Sequence, residues 1–245
     1  MLSALVVATL FSGGAQAAAI TRTLTIQVYQ LCDDGGLNCA SLGPSGNEYF
    51  AAETNLIWNQ AGISVLFNFA GQINSTFFST IDDNVAGNGF GDLHALYGAG
   101  GPSSTTVDMF LVHVLAGAFG EAYAGAGGII LSMDAIMAFN GGLGRIDTVA
   151  HELGHNLGLV PDSLGGSNGH TSVADQLMAS GNVRTVPGTI ADIFPNGAGL
   201  DKIPADQIQF ALQSSLLSDV PEPVSLTLVG SGFMVLAWMR RKRAA

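Results

Sequence analysis

Charge is scarce in this sequence, and positive charge is scarcest. Only 11% of the 245 residues are Asp, Glu, Lys or Arg, against about 25% in an ordinary globular chain. Lys and Arg number 8, and half of these are the consecutive Arg240, Arg241, Lys242 and Arg243. Over residues 18–219 the strong cations are Arg22, Arg145, Arg184 and Lys202, facing eighteen acids, the total of 19 less Glu222. Such a domain repels polyphosphate and anionic lipid, so nucleic-acid binding is excluded and the acidity serves solubility. Internal repeats are lacking, cysteines are limited to Cys32 and Cys39, and histidines number 5.

What is abundant is hydrophobicity, at 48%, and much of it sits at the ends. LSALVVATLF (2–11) precedes the small residues SGGAQAAA, in which Ala15 and Ala17 form an A-x-A cleavage site. This reads as a signal peptide over 1–17, although no Lys or Arg precedes Arg22. The other end, VPEPVSLTLVGSGFMVLAWMRRKRAA (220–245), has a Pro-Glu-Pro triplet, sixteen uncharged residues at 224–239 and a basic cluster. A spanning helix needs about 20 residues, so this span is slightly short. The basic cluster would stay cytoplasmic and leave the main domain outside. That order resembles the PEP-CTERM sorting signal of Gram-negative bacteria. The resemblance implies transient insertion in the inner membrane through 224–239, removal by an exosortase-type enzyme, and a final place in the envelope or outside the cell. A plain membrane anchor is the alternative. In an exported chain Cys32 and Cys39, flanking the turn-rich DDGGLN, are expected to form a disulfide.

Between the ends the pattern is that of one α/β (α+β) domain over 18–219. Residues 22–30 alternate Leu24, Ile26 and Val28 with polar partners, as a half-buried strand does. Helical spacing over 47–62 stops at Gly62, and 63–70 reads as a second strand. A short helix is predicted at 91–98, a buried strand at 105–116 and another strand closing the glycine-rich stretch 117–133. A further helix covers Asp147 to Leu157. The last third is rich in Gly, Ser, Asn and Pro and looser, with one helix at 204–217.

The chemistry concentrates in TVAHELGHNLGLVPD (148–162). Residues four apart share a helix face, so His151 and His155 can turn a ring nitrogen toward one zinc ion. Glu152 lies beside the first ligand, where its carboxylate can act as general base on a water that the metal activates. Val149, Leu153 and Leu157 supply a core stripe on the same helix. Gly154 and Gly158 are poor helix formers, which argues for close packing at the first and a deliberate stop at the second.

HELGHNLGL resembles the signature of the metzincin metallopeptidases, particularly the reprolysin-like branch. DQLMASG (175–181) places Met178 where that family has its Met-turn, and GEAYAGAGGIILSM (120–133) resembles its substrate-binding edge strand. The resemblance implies a metzincin-like zincin: a twisted mixed sheet with helices, an active-site helix and an irregular C-terminal subdomain. It also implies a third ligand at 161, where this chain has Pro161. Two candidates replace it. His170 is the only histidine between the helix and Met178, and leishmanolysin-like relatives insert residues before their third histidine. Asp162 follows the proline by one place, and snapalysin-like relatives use an aspartate. The extra tyrosine contact of some metzincins is not expected, since no tyrosine follows Met178.

Weaker signals complete the survey. His94 and His113 are expected to be ordinary core or surface histidines. Asp82, Asp83, Asn84, Asn88 and Asp92 cluster oxygen donors that could hold calcium, without matching an EF-hand loop; a solvated turn is the plainer reading. Gly165 to Gly169 spell G-x-S-x-G but lack the strand and helix of a nucleophile elbow. The expected function is therefore an exported zinc-dependent endopeptidase acting on protein or peptide. The alternative, prompted by Pro161, is an inactive envelope or matrix binding protein that keeps the fold.

Overall fold

The computed structural model describes residues 18–99, 105–142, 144–159 and 169–220. The signal peptide, Pro161, Asp162, Gly165 and the span and basic cluster of the sorting tail lie outside these residues. Among the described residues no helix is long and apolar enough to cross a membrane.

Along the chain the elements are β1 (Arg22–Cys32), α1 (Ala51–Trp58), β2 (Ile63–Asn74), β3 (Thr80–Ile81), α2 (Phe90–Tyr97), β4 (Thr106–Val112), β5 (Val114–Leu115), β6 (Gly120–Ala122), β7 (Ile129–Ser132), α3 (Met133–Ala138), α4 (Thr148–Asn156), α5 (Ala205–Ala211) and β8 (Ser218–Asp219). The main sheet has the order β2-β1-β4-β7-β6. Its first four strands run parallel, and β6 closes one edge antiparallel to β7. β8 pairs antiparallel with Arg22 and Thr23, before β4 joins β1 at Thr25. The fold is thus α/β with a mixed, mostly parallel sheet.

Parallel strands joined by helical crossovers are covered on both faces, and the central strands show it. Every residue of β4 from Val107 to Val112 is buried. Leu24, Ile26, Val28, Val107, Met109, Leu111, Ile129 and Leu131 face one core, which also takes in Trp58, Val149, Leu153, Leu157 and Met178. Leu31, Phe110, Val112 and Ile130 face a second core, closed by Phe78, Phe90 and Leu93. Each fully buried aliphatic side chain contributes roughly 2 kcal/mol of transfer free energy. The predicted stripe Val149, Leu153 and Leu157 is therefore what seats α4 on the sheet. Trp58 adds a directed bond, its Nε1–H donating to the Ala150 carbonyl at 3.1 Å.

Several elements differ from the sequence reading, each for a local reason. The helix expected over 47–62 starts only at Ala51, because Tyr49 and Phe50 adopt left-handed φ of 63° and 53°. The strand expected over 105–116 divides at His113: β4 stays in the main sheet, while β5 leaves it to pair with β3. The helix expected over 204–217 ends at Ala211, and the chain then turns to bury Leu216. α3, which is six residues long and shows no sequence period, was not expected. Cys32 and Cys39 form the expected disulfide.

Candidate metal centre

α4 begins at Asp147, whose carboxylate does not cap the helix but pairs with two arginines. Arg184 Nε lies 2.8 Å from Asp147 Oδ2, and Arg145 Nε lies 3.6 Å from Oδ1. The helix is buried over most of its length, including His151 and Glu152. At Gly154 it packs against Met178 so closely that a Cβ would strike the sulfur. It stops where Gly158 takes a left-handed φ of 85°. Asn156 ties the end of α4 to the turn between β6 and β7: its Nδ2 lies 3.0, 2.7 and 2.9 Å from the carbonyls of Tyr123, Ala126 and Gly128.

His151, His155 and His170 come together, with one ligand atom from each lying within 4.8 Å of the others. This is the group of three metal-capable side chains found among the described residues. The Nε2 atoms of His151 and His170 are 3.2 Å apart. Tetrahedral ligands with zinc–nitrogen bonds of about 2.0–2.1 Å have their nitrogens about 3.3 Å apart, so this pair fits. The His151 and His155 rings stand at 89° to each other, and the His155 and His170 rings at 87°.

Backbone carbonyls stand at the outer nitrogens: His151 Nδ1 lies 2.7 Å from Leu177 O, and His155 Nδ1 lies 3.2 Å from Leu159 O. A proton on each Nδ1 leaves Nε2 bare, the tautomer that metal-binding imidazoles adopt. Burial, then the neighbouring Arg184, holds His151 well below the ordinary imidazole pKa. Burial, then His170, lowers His155 to about 4. Three imidazoles whose nitrogens converge this closely form a donor set that suits zinc.

Glu152 lies on α4 next to His151, and burial pushes its carboxyl up to about 8 against the opposing pull of Arg184 and Arg145. It rests on Gly120, the first residue of edge strand β6, where an added Cβ would come 2.9 Å from its Cγ and 3.0 Å from Oε1. Two clefts of about 400 and 380 Å³ open beside the histidines. They share Gly120, His151, Glu152 and His170. One extends along Phe119, Arg145, Thr148, Asn182 and Arg184; the other passes Glu121, Ala122, Ala124 and His155.

His170 reaches the site because its neighbour is stitched to the Met178 turn: Thr171 N donates to Met178 O at 2.9 Å, and Thr171 bridges Ala179. His94 and His113 stay outside the cluster. His94 is buried beside Asp108 at 3.4 Å, and His113 pairs with Asp134 at 3.1 Å. In the acidic stretch, Asp83 Oδ1 accepts from Phe90 N, Asp92 Oδ2 from Gly89 N, and Asn88 Oδ1 from Asp82 N. Sequence reading missed Gly120, Arg145, Asp147, Asn156 and Arg184. The scarcity of cations was the available signal, since two of the four between residues 18 and 219 line one cleft.

No family model and no curated protein matches this chain. Among solved structures it is similar to metalloproteinase-II from Bacteroides fragilis, with a TM-score of 0.46 and 15% identity, covering 82% of this chain and 55% of that one. It is also similar to archaemetzincin from Methanopyrus kandleri, with a TM-score of 0.43 and 11% identity, covering 78% of this chain and 95% of that one. A chaperone–substrate complex aligns over 81% of this chain and 35% of its own, with a TM-score of 0.42 and 14% identity. The chain thus spans about half the length of the Bacteroides protein.

Proposed function

We propose that this chain is an exported, zinc-dependent endopeptidase. The observation that carries the reading is the convergence of three imidazoles with a buried carboxylate beside the half-buried edge strand β6. His151, His155 and His170 would hold the metal. The metal would supply Lewis-acid polarisation of the scissile carbonyl and activation of a water.

The remaining work falls to the chain's own groups. β6, at the edge of the sheet, offers backbone N–H and C=O groups with which an extended peptide can pair. Glu152, seated on Gly120, takes the proton from the attacking water at its carboxylate and can pass it to the leaving amine. Met178 supports α4 from beneath without serving as a ligand. The signal-like N-terminus, the PEP-like tail and the disulfide support export, with an exosortase-type enzyme as partner.

Metal analysis of the purified full chain tests the site. One zinc per chain is expected in the parent, lost in His170→Ala and kept in Asp162→Ala; loss only in Asp162→Ala would transfer the third ligand there. Glu152→Ala should keep zinc and lose about 10²–10⁴-fold in peptide hydrolysis. Pro161 motivates a second reading, an inactive binding protein retaining the fold. It predicts that Glu152→Ala changes nothing measurable.

A further inference from the structure

The cleft that runs toward Arg145 and Arg184 is built differently from the rest of the surface. In a domain with four strong cations among eighteen acids, two of the four line this one cleft, both nine-tenths buried. Both lean on the single carboxylate of Asp147. Arg184 is further engaged, donating from Nη1 to Leu177 O at 2.9 Å and lying against His151 Nδ1.

Arg145 is not so engaged. Its Nε and Nη2 are buried and have no hydrogen-bond partner among the described residues. Its guanidinium carbon lies 4.7 Å from the centre of the Phe119 ring and 5.6 Å from that of Phe139. Stacking of that kind uses the faces of a guanidinium and leaves its N–H edge for a planar acceptor. On the cleft side stands Gly181, whose Cβ, if present, would be 3.6 Å from both Nη1 and Nη2. Glycine there keeps a side chain out of the space beside both Nη atoms in the wall of the cleft.

The local charge is also unbalanced. Asp201, a buried carboxyl that senses these arginines besides Asp147 and Glu152, is pushed up by burial and by Asp147, so it offsets little positive charge at neutral pH. Burial, then Arg184, disfavours the charge on Arg145 and outweighs the opposing pull of Asp147 and Glu152. An incoming carboxylate would offset that burial and accept the unpartnered N–H groups, the geometry in which arginine binds carboxylates most strongly.

We propose that this cleft is a carboxylate-recognition subsite, in which Arg145 seats an aspartate or glutamate side chain next to the bond to be cleaved. The proposal deepens the peptidase reading by naming a substrate class, and it rests on that reading only for the cleavage. Glu152, shared with the cleft, handles the proton; Arg145 selects.

The test uses the full chain loaded with zinc and short neutral peptides that carry Glu or Gln at one position at a time. Cleavage is followed by mass spectrometry, and binding to the Glu152→Gln protein by fluorescence anisotropy. Glu beside the cleaved bond is expected to bind and react at least about tenfold better than Gln, equivalent to about 1.4 kcal/mol. The preference should vanish in Arg145→Gln and survive in part in Arg145→Lys. Gly181→Glu would supply a carboxylate from the chain itself and should abolish the preference with Arg145 intact, which keeps the test decisive if Arg145→Gln does not fold. Equal binding and cleavage of the Glu and Gln peptides would overturn the subsite while leaving the peptidase standing. A Glu preference in binding without cleavage of any peptide would do the reverse.

Discussion

Residues 18–159 and 169–220 fold by different rules, and the site takes parts from both. The first stretch is a sheet with its crossovers: β1 alone pairs along its length with β2 and β4 in parallel register. Burial alternates along β1 and is continuous along β7 and most of β4, and α4 packs by an apolar stripe. The second stretch contains α5, a two-residue strand and three isolated bridges, Thr171 to Ala179, Gln176 to Lys202 and Ile193 to Leu200. Its order comes from a few buried side chains, among them Leu177, Met178, Ile193 and Ile203, and from Arg184 reaching Asp147 across the boundary. The difference teaches that the metal site is as firm as the weaker region. Two histidines ride on a helix anchored in the main core, and the third rides on a bridge.

Four experiments press on that difference. The largest effect is expected at the third ligand itself. His170→Ala should remove stoichiometric zinc, while His94→Gln, in the ordered region, should leave the metal content unchanged; atomic absorption on both reads the contrast. Next is the tie between the regions. Arg184→Met strands Asp147 in the interior, and breaking a buried pair in this way costs about 3–5 kcal/mol. Urea unfolding should show a loss of that size, well beyond the exposed Leu66→Thr on β2, expected within about 0.5 kcal/mol.

The contact between α4 and the Met178 turn is third. Gly154→Ala overfills it and should cost about 1–3 kcal/mol. Combined with Met178→Ala, the loss should fall short of the sum of the single effects, because the two residues share one space. A double-mutant cycle giving simple additivity would show that the turn does not bear on the helix as described.

The smallest effect concerns Asp201, which has a left-handed φ of 54° that asparagine also accepts. Its folded pKa is raised, to about 8, above the unfolded carboxyl value. Its contribution to stability is therefore full below the unfolded pKa, near 4, and declines as pH rises through the folded one. Asp201→Asn is neutral throughout, so its stability relative to the parent should improve as pH rises from 5 to 8. Thermal melts across that range check the sign.

The two regions also differ in how legible they were. Alternation of Leu24, Ile26 and Val28 marked β1, and the four-residue spacing of His151 and His155 with two unfavourable glycines marked α4, because period and propensity are local. His170 could be reached by counting histidines. The Arg145–Asp147–Arg184 cluster could not, since the partners are 37 residues apart at their nearest unlike pair across the boundary, Asp147 and Arg184. No local rule says which acid a buried guanidinium will find. The Phe50 and Tyr49 kink, the split at His113 and the early end of α5 were hidden for the same reason. In each case tertiary packing overrode a pattern that was locally sound.

The Asn156 amide, held among the carbonyls of Tyr123, Ala126 and Gly128, has a consequence for change over time. It turns the stretch from Tyr123 to Gly128 into a ruler between the end of the metal-binding helix and the sheet edge. Side chains in that turn can be exchanged, but an inserted or deleted residue would withdraw a carbonyl from the amide and shift the edge against Glu152. Variation there should be spelled in substitutions, while length stays constant.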